Sequence, residues 1–143
     1  MTRLTLHRNE ETPTVIERPL FVSSVQAGFP SPAEDYIESS LDLNAHLIKN
    51  PAATFFVRVS GSSMKDALIF PGDILLVDRS ITPRSGRVVI AVIDGELTVK
   101  RLLLNRTRPV LKAENCEFAD IDIAPESEFE IWGVVTHIIH EAL

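Results

Sequence analysis

Between residues 54 and 139 the apolar positions fall in short blocks of Val, Ile, Leu and Phe, each broken by turn residues. This pattern predicts strands at Thr54–Val59, Asp73–Asp78, Arg87–Ile93, Glu96–Leu103, Val110–Lys112 and Phe129–Ile139. Pro71-Gly72-Asp73 marks a turn, and Asp94-Gly95, two residues between two apolar runs, predicts a tight type I′ hairpin. With no long helix between the strands, the expected fold class is mainly β: a compact, strongly bent antiparallel sheet domain with short helices. Upstream, Ser31-Pro32 has the form of a helix start, with Ser at the cap and Pro at the first helical position. Tyr36, Ile37 and Leu41 follow at helical spacing, which predicts a helix across residues 33–47. Asp42 reads as a second cap, for a short helix through Ala45 and Leu47 that Asn50-Pro51 closes. Residues 1–26 have weak periodicity and contain Pro13 and Pro19, so they read as a partly extended N-terminal arm without its own core. Ala27-Gly28-Phe29-Pro30-Ser31-Pro32 reads as an exposed link. The organisation expected is an arm over 1–27 and a β-rich domain over 28–143.

Composition narrows the classes. A chain of 143 residues is the size of one domain and can bury a core without a disulfide or metal staple. The single Cys116 excludes an internal disulfide framework, and one thiol with four scattered histidines makes no zinc motif; Cys116 reads as a packing residue or a bystander. No apolar run approaches the roughly 18 residues of a membrane helix, and MTRLTLHRNEETPT lacks the apolar centre of a secretory signal. A cytoplasmic protein without membrane association is expected. The formal charge is −6, and the first 27 residues hold three Arg and three Glu, so residues 28–143 carry all of it. That balance argues against direct sequence-specific DNA binding, which needs clustered Lys and Arg. A helix-turn-helix domain would not fit in the arm.

Two side chains could carry chemistry. In Val57-Arg58-Val59-Ser60-Gly61-Ser62-Ser63-Met64-Lys65-Asp66 a strand ends and a turn begins, with Gly61 suited to the bend. Ser63 would stand at the mouth of a short helical turn, near backbone N–H groups of the kind that stabilise an oxyanion. Ser63-Met64-Lys65-Asp66 equally fits a helix-capping pattern, in which Ser63 is a cap and nothing more. A serine nucleophile needs a base, and His46, His137 and His140 form no triad pattern. A lysine can serve if it is neutral. At an ordinary pKa of about 10.4 only roughly 0.04% is neutral at pH 7, and lowering it by three pH units costs about 4 kcal/mol. Such a lysine must sit among apolar residues. Lys100 has Leu97, Val99, Leu102, Leu103 and Leu104 around it, whereas Lys65 and Lys112 have more polar neighbours. Strand alternation, however, puts Leu97, Val99 and Leu103 on one face and Lys100 on the other with Glu96 and Thr98, which reads as a solvated lysine.

Taken together, Ser60-Gly61-Ser62-Ser63-Met64, Pro71-Gly72-Asp73, Thr98-Val99-Lys100-Arg101 and Trp132-Gly133-Val134-Val135 resemble the LexA/UmuD family of self-cleaving SOS proteins. The family pattern is Ser-Gly-x-Ser-Met at the nucleophile, with a lysine in a later Thr-Val-Lys strand. The resemblance runs from about Pro19 to Ile139, and the short arm matches its UmuD type. It implies a fold like that of LexA and the signal peptidases. It further implies Ser63 as nucleophile, Lys100 as general base, backbone N–H groups of Ser63 and Met64 at the oxyanion, and Ala27-Gly28 as the scissile bond. Ser62 takes the variable place. The chemistry of that bond agrees, since small residues admit the backbone to a narrow site and Gly28 has no Cβ to obstruct attack. The flanking Val25 and Phe29-Pro30 could dock as an extended strand.

The resemblance also implies partners: a homodimer, a RecA filament on single-stranded DNA that stimulates cleavage, and a UmuC-like Y-family DNA polymerase in error-prone translesion synthesis. No metal or organic cofactor is required by the chemistry. Two other readings stand beside it. In one, a non-catalytic β-domain regulates a polymerase by contact alone, with Ser63 a cap and Lys100 a surface charge. In the other, a repressor of the LexA kind would need a DNA-binding element.

Overall fold

The computed structural model describes residues 4–8, 15–21, 37–105 and 107–142. Ten strands run in chain order: β1 (Leu4–Arg8), β2 (Glu17–Phe21), β3 (Ile37–Asp42), β4 (Thr54–Val59), β5 (Ile74–Asp78), β6 (Val88–Ile93), β7 (Glu96–Leu104), β8 (Pro109–Lys112), β9 (Ile121–Asp122) and β10 (Phe129–Ile139). One short α-helix, α1 (Leu43–Leu47), and 3₁₀ turns at Pro51–Ala53 and Lys65–Ala67 complete the described elements. The described residues divide into two compact units, one drawn from residues 1–9 and 50–143, the other from 10–49.

The larger unit is an antiparallel sheet in the order β1-β4-β5-β10-β6-β7-β8-β9. Its six predicted strands all form, with ends moved by one residue at most. The β6–β7 hairpin turns at Asp94 (φ 48°) and Gly95 (φ 83°), the two left-handed residues that a type I′ turn requires. Asp94 N–H donates to the Glu128 carbonyl at 2.9 Å and Asp94 Oδ1 accepts from Glu128 N–H at 3.0 Å, which ties the hairpin tip to the strand beside it.

Both faces of this sheet are covered. Val57, Val59, Met64, Ile69, Leu75, Val77, Ile90 and Val99 form one buried cluster; Val89, Ala91, Leu102, Leu111, Ile123 and Val134 form another. Neighbours such as Val89 and Ile90 fall in different clusters because side chains alternate across the pleat. The register of β10 slips against β6 between Ile131 and Gly133, and against β5 between Val135 and His137. Such bulges bend a strand and raise its twist. Gly133 sits at the first, where a Cβ would lie 2.5 Å from Val77 Cγ1.

The smaller unit holds the β2–β3 pair and α1. Asp42 caps α1 as expected, its side chain accepting from Asn44 N–H at 3.1 Å. The predicted helix across 33–47 is corrected: residues 37–42 are strand β3, paired with β2 from Glu17↔Asp42 to Phe21↔Ile37. Helical spacing of three residues was outweighed by a pairing partner some twenty residues upstream, which no local pattern shows. The Ser31-Pro32 start lies outside the described residues. Part of the arm is extended as expected, and its β1 adds a strand to the larger sheet, in register from Leu4↔Val59 to Arg8↔Phe55. Among the described residues no helix is long and apolar enough to cross a membrane.

Candidate active site

β4 ends at Val59, and Gly61 takes φ 90°, a left-handed conformation that carries the chain sharply away from the strand. Return bonds hold the loop that follows: Val59 N–H donates to Asp73 O at 2.9 Å and Gly72 N–H to Val59 O at 2.8 Å. Asp73, 3% exposed, accepts Phe70 N–H at Oδ2 (2.8 Å) and faces His140 Nδ1 at Oδ1 (2.6 Å). The Pro71-Gly72-Asp73 turn thus braces the segment that carries Ser63.

Ser63 is 3% exposed, and its Oγ lies 2.9 Å from Lys100 Nζ. The 3₁₀ turn starts at Lys65, its N-cap position is Met64, and no side chain caps it. The capping role considered for Ser63 is therefore corrected: the hydroxyl meets the lysine. Ser62 supplies a carbonyl to the same turn, accepting Lys65 N–H at 3.3 Å.

Lys100 comes from the middle of β7, opposite Val89, and is 5% exposed. The solvated face expected from alternation is corrected. Lys100 does project opposite to Val99, but that face holds the second apolar cluster around Val89 and Leu102. Nζ reaches three oxygens: Ser63 Oγ, Thr98 Oγ1 (3.0 Å) and Val99 O (3.1 Å). None is charged, and burial pushes the lysine pKa down from its ordinary 10.5. The three contacts suit either protonation state. An ammonium donates to all; a neutral amine donates to Thr98 and Val99 and keeps its lone pair for the Ser63 hydroxyl.

Both groups open into a cavity of about 550 Å³, lined by Ile93, Leu97, Phe118 and Ile121 and also by Asp94 and Glu96. An apolar wall beside a few converging polar atoms is the usual form of a binding site. The wall from the 114–118 loop is joined to the serine turn. Asp66 N–H donates to Glu114 O at 2.7 Å, and Asn115 Nδ2 donates to Ser62 O at 2.8 Å.

The structure thus brings together the two side chains singled out in the sequence and puts the Ser63–Met64 backbone beside them. Ala27 and Gly28 lie outside the described residues. Lys65, Lys112, His46, His137 and His140 are all exposed. Cys116 is exposed too, so its reading as a packing residue is corrected. Sequence reasoning missed Thr98 as a partner of the lysine, although its position two residues away on the same strand face would have found it. It also missed Asn115, whose partner is 53 residues distant and which has no local signal.

Comparison with known proteins shows the family. The model of the family described as Peptidase S24-like matches residues 19–136. Protein ImpA of Salmonella typhimurium is 56% identical over 125 residues, covering 86% of this chain and 83% of that protein. Protein MucA of Escherichia coli is 50% identical over 124 residues, covering 86% and 84%. The LexA repressor of a Marinomonas species is 40% identical over 123 residues, covering 85% of this chain and 59% of the repressor.

Proposed function

This chain belongs to the peptidase S24-like family, a serine peptidase family, as a UmuD-like member with a part in SOS mutagenesis, and we propose that it cuts itself once, at Ala27-Gly28, with Ser63 as nucleophile and Lys100 as general base. The observation that carries the reading is the 2.9 Å approach of a buried lysine, which has no ion pair among the described residues, to a buried serine hydroxyl at a cavity. In this reading Lys100 takes the Ser63 proton as Oγ attacks the Ala27 carbonyl carbon. The N–H groups of Ser63 and Met64 hold the oxyanion. The C–N bond breaks, the lysine returns its proton to the departing Gly28 amine, and water then hydrolyses the ester at Ser63. The products are the arm, residues 1–27, and the domain, residues 28–143.

The same kinship supports a wider role. The protein is a homodimer, and a RecA filament on single-stranded DNA favours the conformation in which the arm enters the cavity. The trimmed dimer serves a UmuC-like Y-family DNA polymerase in translesion synthesis. A site used once needs no product turnover, and a weakly populated competent state gives an activator something to shift.

The test is intact mass after incubation with RecA, single-stranded DNA and a slowly hydrolysed ATP analogue at pH 7, beside a RecA-free sample at about pH 10. A species of residues 28–143 is expected from the parent and from Ser62→Ala, and none from Ser63→Ala or Lys100→Ala. Cleavage that survives in either of the last two overturns the assignment, and loss in Ser62→Ala alone would move the nucleophile to Ser62.

A further inference from the structure

Asn115 has no part in the chemistry above, yet its placement is unusual. Its neighbours Cys116 and Glu117 are exposed while its own side chain is 3% exposed. Both ends of the amide are matched: Nδ2 donates to Ser62 O at 2.8 Å, and Oδ1 accepts Glu117 N–H at 3.0 Å. The reverse orientation would set donor against donor and acceptor against acceptor, so the amide has one productive setting. The first bond crosses 53 residues of chain to reach the carbonyl immediately before Ser63.

That carbonyl is half of a peptide unit whose other half is the Ser63 N–H. The unit is planar and trans, so carbonyl and N–H point in opposite directions, and holding one aims the other. The Ser62 oxygen accepts two donors, Asn115 Nδ2 and Lys65 N–H. Each also polarises the unit and strengthens its N–H as a donor. A second strut, Asp66 N–H to Glu114 O, lies on the other side of Ser63 and suppresses rotation of the turn as a whole.

We propose that Asn115 is a positioning residue that sets the plane of the Ser62–Ser63 peptide and so aims the Ser63 N–H at the oxyanion. The inference rests on Ser63 being the nucleophile. Phe118 and Ala119 of the same loop line the cavity, so the residue that holds the peptide sits in the cavity's own wall segment. An N–H aimed within ångströms of the developing charge matters because its orientation cost is met in folding, before the reaction starts.

Two variants separate the donor from the fold. Asn115→Asp keeps the shape and the acceptor for Glu117 N–H but turns an oxygen toward the Ser62 carbonyl; Asn115→Ala removes both bonds. Each is measured by self-cleavage from pH 7 to 10 and by labelling of Ser63 with a fluorophosphonate, in which Oγ bonds to phosphorus and fluoride leaves. Loss of a direct oxyanion donor costs about 10²–10³ in rate, so an indirect loss of about tenfold or more is expected in both assays. In Asn115→Ala the pH at which the rate rises stays where it is in the parent, since the contacts of Lys100 are untouched and no charge is added; the carboxylate of Asn115→Asp favours the Lys100 ammonium and moves the rise to higher pH. Rates within threefold of the parent in both variants overturn the proposal. So does a rate rise displaced to higher pH with its plateau restored in Asn115→Ala, the mark of a loosened fold that hydrates Lys100. If the parent labels at Ser63 but does not cut itself, the self-cleavage reading falls, and slowed labelling in both variants still supports the role of Asn115. A parent that does not label at Ser63 overturns both.

Discussion

Replacing Lys100 with methionine tests the dyad and its energetics together. Methionine has nearly the length of the lysine stem and no amine, so it fills the space between Val89 and Leu102 while removing the group 2.9 Å from Ser63 Oγ. A positioned general base contributes about 10²–10⁴ in rate. At 1.36 kcal/mol per tenfold, the variant should lose about 3–5 kcal/mol of transition-state stabilisation. If Lys100 is the base, cleavage by the parent requires the neutral amine. Its rate should climb tenfold per pH unit and level off below pH 10.5, because burial lowers the lysine pKa from that value. The same burial sets the sign of the stability effect. Between the folded pKa and 10.5 the unfolded chain binds more protons than the folded one, so the parent gains stability as pH rises through that window. Lys100→Met should therefore be more stable than the parent at neutral pH, with a gap that narrows toward pH 10.5. Urea unfolding in a Ser63→Ala background, read by fluorescence of the single Trp132, measures the gap without cleavage. Trp132 suits this because its ring meets Phe55 at 5.1 Å and lies under the Arg79 guanidinium at 4.6 Å. A Met variant that cleaves within tenfold of the parent, or a parent rate flat from pH 7 to 10, refutes the base assignment. A stability gap that widens with pH refutes the burial argument.

Two further outcomes follow from packing and charge. Gly133→Ala would place a Cβ 2.5 Å from Val77 Cγ1 and 3.3 Å from Arg79 Cγ, and the overpacking should cost about 1–3 kcal/mol in urea unfolding. Unchanged stability would mean that the β10 bulge has room to yield. Asp78, 4% exposed, is desolvated by burial, which opposes its charge, but bonds from Asn50 Nδ2 (2.9 Å), Ser80 Oγ (2.6 Å) and Ser80 N–H (2.8 Å) outweigh this and hold its carboxyl below 3.8. Its contribution is full above pH 3.8 and is lost as pH falls through the folded value. Asp78→Asn should then destabilise the fold by about 1–3 kcal/mol at pH 7, with a difference from the parent that shrinks on acidification below 3.8; a constant difference would contradict this.

The chain's own pattern was enough for the central strands, because each is a dense apolar block between turn residues and is buried wherever it sits. It was enough for the Asp94-Gly95 hairpin and the Asp42 cap, whose determinants lie within four residues. It failed at Leu4–Arg8, Glu17–Phe21 and Ile37–Asp42, which have weak apolar content and become strands by pairing with distant partners. The short β9 was missed for the same reason, since Ile121–Asp122 is extended only against β8.

The site divides along the same line. Ser63 and Lys100 were legible as residues of the right type in the right motifs, 37 positions apart. Their local context was misleading: Ser63 read as a helix cap and Lys100 as a solvated side chain. Alternation tells which face of a strand a residue occupies, and it placed Lys100 opposite to Val99 correctly. It does not tell whether that face meets water, because that depends on Val89, Leu102, Leu111 and Ile123 arriving from other strands. Only the folded sheet covers the lysine and leaves it facing the serine. The grip of Asn115 on Ser62 is likewise a product of the fold, since a hydrogen bond across 53 residues is a property of which strands neighbour one another. Element identity comes from short-range periodicity, but burial and long-range contact, and with them the basicity of a lysine, come from the tertiary packing.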